Sequence, residues 1–302
     1  MVHYDKCPLC LSGKLEKYLK VRDHFLSKED FDLFRCSSCG FIITQDHPDG
    51  DAMGPYYESE DYLSHNEPET GFVNNLYNLS RNFMLKMKWR MVMRSTGLKK
   101  GTILDIGSGS GYFASFIRDK GWDVKGIEIN RKIREISSSR FGLDILPPES
   151  LNELPSSSFD CITLWHVLEH FHEPDQYASQ IRRILKPKGV CIVALPNCDS
   201  FDAGHYHENW AAWDVPRHIS HFNPSTFSFF AEATHFTVTK TKALLFDVFY
   251  ISILSEKYKT SKPGFITGMI KGVWFTFLSL FIKGRNSSVI YFLKKKNCTN
   301  WQ

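Results

Sequence analysis

The sequence predicts an α/β protein built on a doubly wound sheet, with a small cysteine-bearing module ahead of it. Three observations predict this. Thr102 to Ile106 is a short apolar run, glycines follow at 107, 109 and 111, and Tyr112 to Ile117 takes up helical spacing; this reads as strand, turn and helix. Further apolar runs at Asp123–Ile129, Phe159–Trp165 and Val190–Leu195 continue the series downstream, as parallel strands with crossover connections do. Two C-x-x-C pairs, Cys7/Cys10 and Cys36/Cys39, stand near the amino terminus.

At 302 residues the chain can bury one large core plus a small appendage. Met1 to Lys20 is polar and carries Cys-Pro-Leu-Cys, so a secretory signal is not expected and the cytoplasm is the expected compartment. There, paired cysteines favour metal over disulfides. The net charge of +4 is uneven: residues 251–302 hold eight lysines and Arg285 against Glu256, which is +8 and leaves −4 for the rest.

The two cysteine pairs are separated by 25 residues. Each C-x-x-C turn points two thiolates at one ion, and two such turns complete a tetrahedral zinc site; the alternative is four free thiols. Four cysteines leave no open coordination position, so a structural zinc is expected on Cys7, Cys10, Cys36 and Cys39. Residues 1–45 mix acids and bases without an arginine-rich strip, which disfavours nucleic acid as a partner. Residues 46–98 read as a linker rich in Asp, Gly and Pro followed by a leading helix, with apolar spacing through Leu76, Leu79, Phe83, Met87 and Met91. Residues 99–302 form the main domain.

The glycine turn reads Asp105-Ile-Gly107-Ser-Gly109-Ser-Gly111-Tyr112. Dinucleotide enzymes use G-x-G-x-x-G at this place, and Tyr112 fills the slot of their third glycine, which disfavours an oxidoreductase. The D-x-G-x-G-x-G pattern resembles that of class I S-adenosylmethionine (SAM) dependent methyltransferases. The resemblance continues through Glu128, which lies seventeen residues after Gly111 at a strand end, through Phe159 to His170, and through Ile184 to Gly189 before the next strand. Through Trp213-Asp214-Val215-Pro216-Arg217-His218 and His221-Phe222 the chain also resembles a bacterial small-molecule subgroup with an amino-terminal zinc ribbon, similar to sugar C-methyltransferases and ubiquinone-biosynthesis O-methyltransferases. The resemblance implies a Rossmann-like seven-stranded sheet with an antiparallel last strand, and SAM bound by Asp105, Gly107, Gly109, Gly111, Glu128 and Trp165. Tyr56, Tyr57, Tyr62 and His65 then belong to a segment that closes over the cofactor or packs on the domain surface.

Ser225–Ala233 reads as a helix, Phe236–Leu245 as a strand, and Ser288–Lys294 as the antiparallel strand. Residues 246–287 are then a helical insertion, with an apolar stretch from Phe265 to Ile282. That stretch is short for a membrane span and carries Lys271. A lid or homodimer helix burying its apolar face on protein is favoured over in-plane contact with the inner membrane face.

On the acceptor side, His166 and Glu169 follow one strand, and a later loop carries His205, His207, Trp213, Asp214, Arg217, His218 and His221. A hydroxyl acceptor needs a base, and histidine titrates in the useful range. His218 is the first candidate, with His166 and Glu169 lining the cleft. A catalytic metal on His205, His207, His218 and His221 lacks a helical H-x-x-x-H or carboxylate framework and is disfavoured. Arg217 pairs with Asp214 or binds an anionic group. The expected function is methylation of a small molecule, such as a sugar, glycan or lipid-linked precursor. The alternatives are a non-catalytic SAM-binding scaffold, or a methyltransferase of nucleic acid or protein.

Overall fold

The computed structural model describes residues 1–50, 52–57 and 72–296; Tyr62, His65 and Cys298 lie outside the described residues. The first module is an antiparallel ribbon of β1 (Leu15–Arg22), β2 (Asp30–Cys36) and β3 (Ile42–Thr44). Its sheet is completed from far along the chain. β9 (Ser220–His221) pairs with β3, setting Ile42 against His221 and Ile43 against Ser220. Cys7, Cys36, Phe41 and Ile43 are buried in the same cluster as Leu104, Ile162, Val193 and Phe222. The ribbon therefore shares the core of the main domain.

The leading helix α1 (Phe72–Thr96) packs on the sheet through part of its expected face. Met91 is buried with Leu85 and Val92, and Met87 packs against the same cluster, whereas Phe83 is 52% exposed, with the Phe246 ring edge-on to it. The main sheet follows, through β4 (Thr102–Ile106), α2 (Tyr112–Arg118), β5 (Asp123–Ile127), α3 (Arg131–Phe141), β6 (Ile145–Leu146), β7 (Phe159–Trp165), α4 (Pro174–Ile184) and β8 (Leu185–Pro196). After β8 come α5 (Phe201–Tyr206), α6 (Pro224–Ala233) and β10 (Phe236–Ala243). The sheet closes with β11 (Ser288–Lys295), in the order β10-β11-β8-β7-β4-β5-β6. β11 runs antiparallel between β8 and β10, with Leu293 opposite Cys191. The central strands are buried almost end to end, because helices cover both faces of a parallel sheet. The helices are punctuated locally: the Asn130 side chain accepts from Ile133 N–H at the start of α3, and Gly142 closes it at φ 60°.

The chain leaves β4 for β5 and β6 on one side, then returns for β7 and β8 on the other. That reversal opens a crevice beyond the carboxyl ends of β4 and β7, where such sheets bind ligands.

Between β10 and β11 stands a helical hairpin, α7 (Asp247–Thr260) and α8 (Phe265–Phe281). α8 presses its glycines onto α7. A Cβ on Gly268 would lie 2.5 Å from the Ile253 backbone, and one on Gly272 would lie 2.6 Å from the Phe249 ring. The bulky side chains consequently face outward: Ile266 is 72% exposed, Trp274 55% and Phe281 71%. Lys271 is not on that face, since its Nζ pairs with Glu256 of α7 at 2.6 Å. The expected lid over the acceptor loop is thereby corrected, because glycine-to-backbone packing turns Trp274, Phe277 and Phe281 away from the protein. No helix among the described residues is long and apolar enough to cross a membrane.

Candidate active site

The glycine turn follows β4. Gly107, Gly109 and Gly111 have φ of 71°, 52° and 78°, a region that other residues enter only at a cost. A Cβ at Gly107 would strike Val167 at 2.3 Å, whereas at Gly109 nothing lies within 4 Å. Gly109 thus presents bare backbone to open space. Gly107 and Ser108 N–H both donate to the Ile127 carbonyl, which ties the turn to the end of β5. Glu128 stands just beyond, accepting from Gly109 N–H at 2.9 Å and from Asn130 N–H at 3.0 Å.

Asp105 is buried and accepts from the Thr163 hydroxyl at 2.6 Å. Burial raises its pKa to about 6, against the Thr163 hydrogen bond and the charge of Lys88. Lys88, on α1, was not anticipated. It lies 4.5 Å over the Trp165 ring, and burial lowers its pKa against the pull of Asp105 and Asp247. Trp165 packs in the core with its ring edge-on to Phe113.

The residues expected around a methyl acceptor come from the turn at Leu168–His170 and the loop between β8 and α6. Glu169 is 1% exposed, and neither carboxylate oxygen has a hydrogen-bond partner among the described residues. His166 Nδ1 lies 3.5 Å from Glu169, and Nε2 lies 2.8 Å from Asp247 at the foot of α7. Both contacts are close, but neither is aligned as a hydrogen bond. Burial disfavours a charge on His166, yet Asp247 and Glu169 together raise its pKa to about 10. His166 is therefore a cation at neutral pH, which makes it a charged wall of the cleft and not a proton acceptor. His170 Nδ1 lies 3.0 Å from the Arg217 carbonyl and 3.0 Å from the Tyr57 hydroxyl. A carbonyl only accepts, so Nδ1 carries the proton and Nε2 its lone pair. Burial brings His170 down to about 4, so it is neutral. By the same reasoning His218 donates from Nδ1 to the Ala212 carbonyl at 2.9 Å, leaving Nε2 4.0 Å from both Glu169 and Asp214.

Arg217 makes the pair expected with Asp214, at 2.6 Å, and a second that was not expected, with Asp23 at 2.9 Å. Asp23 sits at the tip of the β1–β2 hairpin and is fully buried. Burial acts against its charge, but the guanidinium of Arg217 and backbone donors hold its pKa down at about 2. The hairpin tip also stacks His24 on Tyr258 of α7, with ring centroids 4.3 Å apart. His205 and His207 belong elsewhere: His205 approaches Lys271 of α8, so the four-histidine set is not assembled.

Cys7, Cys10, Cys36 and Cys39 converge, with their sulfurs all within 4.8 Å of one another. The two knuckles repeat one geometry. Leu11 and Gly40, both at positive φ, donate to the carbonyls of Cys7 and Cys36, while Cys7 and Cys36 N–H donate to Ser12 and Phe41. Burial raises the Cys36 thiol, but backbone N–H groups of Cys39 and Ser38 bring it down to about 7.

Residues 81–241, more than half of the chain, match the family model described as a methyltransferase domain. The chain belongs to that family, and its sheet order and glycine turn are those of class I SAM-dependent methyltransferases. Among curated relatives it is similar to the ubiquinone biosynthesis O-methyltransferase of Psychrobacter cryohalolentis, at 28% identity over 110 residues, covering 33% of this chain and 43% of that protein. That of Paraburkholderia phymatum is 27% identical over 120 residues, covering 37% and 51%. The chain thus spans about half the length of these relatives or less. The PH0226 protein of Pyrococcus horikoshii shares the fold, at 15% identity and TM-score 0.50 over 80% of this chain and 98% of that one.

Proposed function

We propose that the protein transfers the methyl group of SAM to a small molecule held between the glycine turn and the loop that carries His218. The observation that carries this reading is the bare backbone at Gly109, facing open space beside the carboxylate of Glu128. A nucleoside fits there, because Glu128 at a strand end can accept from ribose hydroxyls. Asp105, Gly107 and Gly111 shape the same turn, and Trp165 backs it from the core. SAM supplies an electrophilic methyl carbon on sulfur. The chain's own residues align the acceptor, exclude water and receive its proton. In the metal-free cleft His218 Nε2 is the proton-accepting position, with Glu169 and the His166 cation as its polar surroundings. Sugars, glycans and lipid-linked precursors are the acceptor classes that the resemblance favours. Calorimetry with S-adenosylhomocysteine tests the reading. Glu128→Ala should weaken binding by about 10- to 100-fold, the equivalent of about 1.5–3 kcal/mol for a hydrogen bond to a charged group; unchanged affinity would refute the assignment.

The four converging sulfurs fit a tetrahedral zinc that completes its shell with thiolates alone, and such an ion is structural. Free thiols of this kind suit a reducing cytoplasm.

For the α7–α8 hairpin, the exposed face of α8 favours peripheral contact with an anionic lipid surface over a lid. That face is apolar apart from Thr267, and Lys257, Lys259, Lys262 and Lys283 flank it. Each basic residue near such a surface contributes about 1 kcal/mol. Co-sedimentation with vesicles should rise with anionic lipid content and fall with salt. Absence of binding at low salt, with dimer formation in sedimentation, would assign the face to a second copy of the chain.

A further inference from the structure

We infer that Glu169, His170 and His218 form a binding site for a first-row divalent cation, distinct from the four cysteines and open to the acceptor cleft. The three ligand atoms lie within 4.8 Å of one another. Two imidazole nitrogens and one carboxylate are a donor set used for Fe2+, Mn2+, Co2+ and Zn2+. Bond lengths of about 2.0–2.2 Å place such donors about 3–3.5 Å apart, so modest side-chain rotation closes the set.

Three features of this chain point to an ion and not to a chance cluster. Glu169 is 1% exposed, yet both its oxygens lack hydrogen-bond partners among the described residues. The imidazole of His166 at 3.5 Å offsets part of the charge but donates no aligned hydrogen bond to either oxygen, so the buried carboxylate keeps lone pairs for an ion, and burying them unsatisfied is costly. Both histidines also spend Nδ1–H on backbone carbonyls, His170 on Arg217 and His218 on Ala212. Ligating histidines are oriented in this manner, with the second nitrogen tied down and Nε2 left for the metal. Finally, the carboxylate of Asp214 stands 4.0 Å from His218 Nε2 and adds negative charge on the open side. His166 does not compete for the lone pairs by hydrogen bonding, since its Nδ1 is 3.5 Å from Glu169 and its charge is shared with Asp247.

Three protein ligands leave coordination positions free for oxygen donors of the acceptor, such as a hydroxyl beside a second oxygen. With the cation bound, the lone pair of His218 Nε2 is on the ion. A coordinated acceptor hydroxyl then ionises to its oxyanion by releasing a proton to water. The oxyanion attacks the methyl carbon, and the carbon–sulfur bond breaks with its electron pair going to sulfur. The chemistry of this step rests on the methyltransferase reading, but the cation site does not.

The test uses full-length protein with its cysteine site filled by zinc, titrated with Mn2+, an ion that thiolates do not favour. Electron paramagnetic resonance of free Mn2+ should show one tight site per chain, and spin-echo modulation of the bound ion should report two histidine nitrogens. Glu169→Gln and His218→Ala should each weaken Mn2+ binding by more than the roughly 10- to 100-fold that loss of a hydrogen-bonding partner of a ligand costs. The S-adenosylhomocysteine affinity of both variants should be retained. No bound Mn2+ in the unmodified protein, bound Mn2+ without nitrogen coupling, or unchanged affinity in a folded Glu169→Gln would each overturn the proposal. Bound Mn2+ in unmodified protein that does not bind S-adenosylhomocysteine would overturn the SAM-binding reading alone.

Discussion

Zinc removal is expected to loosen two distant segments together, Ile42–Thr44 of the ribbon and Ile219–Phe222 of the acceptor loop. Apparent zinc-binding energies of about 10–16 kcal/mol in small zinc modules are largely folding energy, so the ribbon should not outlast its metal. Its third strand is hydrogen-bonded to β9, Thr44 N–H donates to the Ile219 carbonyl, and the Thr44 hydroxyl holds the His218 carbonyl at 2.7 Å and approaches His221 at 3.0 Å. Amide exchange after chelation, or in Cys36→Ser, should therefore rise at both segments. It should stay low through β4 and the glycine turn, which close on β5 and β7. S-adenosylhomocysteine binding should persist while acceptor turnover falls. Unchanged protection at residues 219–222 in zinc-free protein would show that the ribbon does not support the acceptor loop.

Arg217→Ala is expected to cost about 3–5 kcal/mol, the range for removing one partner of a buried ion pair. In a chain of this size that lowers the thermal midpoint by on the order of 10 °C. The reason is what remains: Asp23 with 0% side-chain exposure, and Asp214, both without their guanidinium. The pH dependence has a definite sign. The pKa of Asp23 is depressed to about 2, so its stabilising contribution is present above the ordinary carboxylate range, near pH 4, and is lost as the pH falls through about 2. The unmodified protein should therefore lose stability over that interval more steeply than Arg217→Ala. Calorimetry from pH 2 to pH 7 measures both effects, and a midpoint shift within about 2 °C, the size of under one kcal/mol, would remove the pair from the account.

The parts of this molecule that were legible in the sequence are those with local signals. The glycine turn announces itself because Gly109 and its neighbours need positive φ next to a buried strand. The helices of the α7–α8 hairpin follow from apolar spacing, and the antiparallel direction of β11 from the family resemblance. The cysteine knuckles follow from their spacing. What escaped is non-local. β9 is two residues long and has no pattern of its own, so nothing in Ser220-His221 says that it joins a sheet begun at Leu15. Asp23 and Arg217 are 194 positions apart. Lys88 and Asp247 look like residues of solvated helix faces until α1 and α7 close on the cleft. The outward face of α8 did leave a trace: Gly264, Gly268 and Gly272 recur every four residues. A stripe of small residues lets backbones approach, so the glycines and not the aromatics mark the buried side.

An insertion between two strands is ordinarily where a domain tolerates length change and substitution. α7 is an exception, because every side but the one carrying Tyr250 and Lys257 is engaged. Phe249 and Ile253 receive the glycines of α8, Ser255 accepts the Ala211 N–H, Tyr258 carries the hairpin tip through His24, and Asp247 meets His166. Trimming the insertion to a short turn would leave the seven-stranded sheet with all its strands. It would also take away one wall of the acceptor cleft, the seat of the ribbon tip and the counter-charge of a histidine. The segment that looks most dispensable along the chain is among the least replaceable in space.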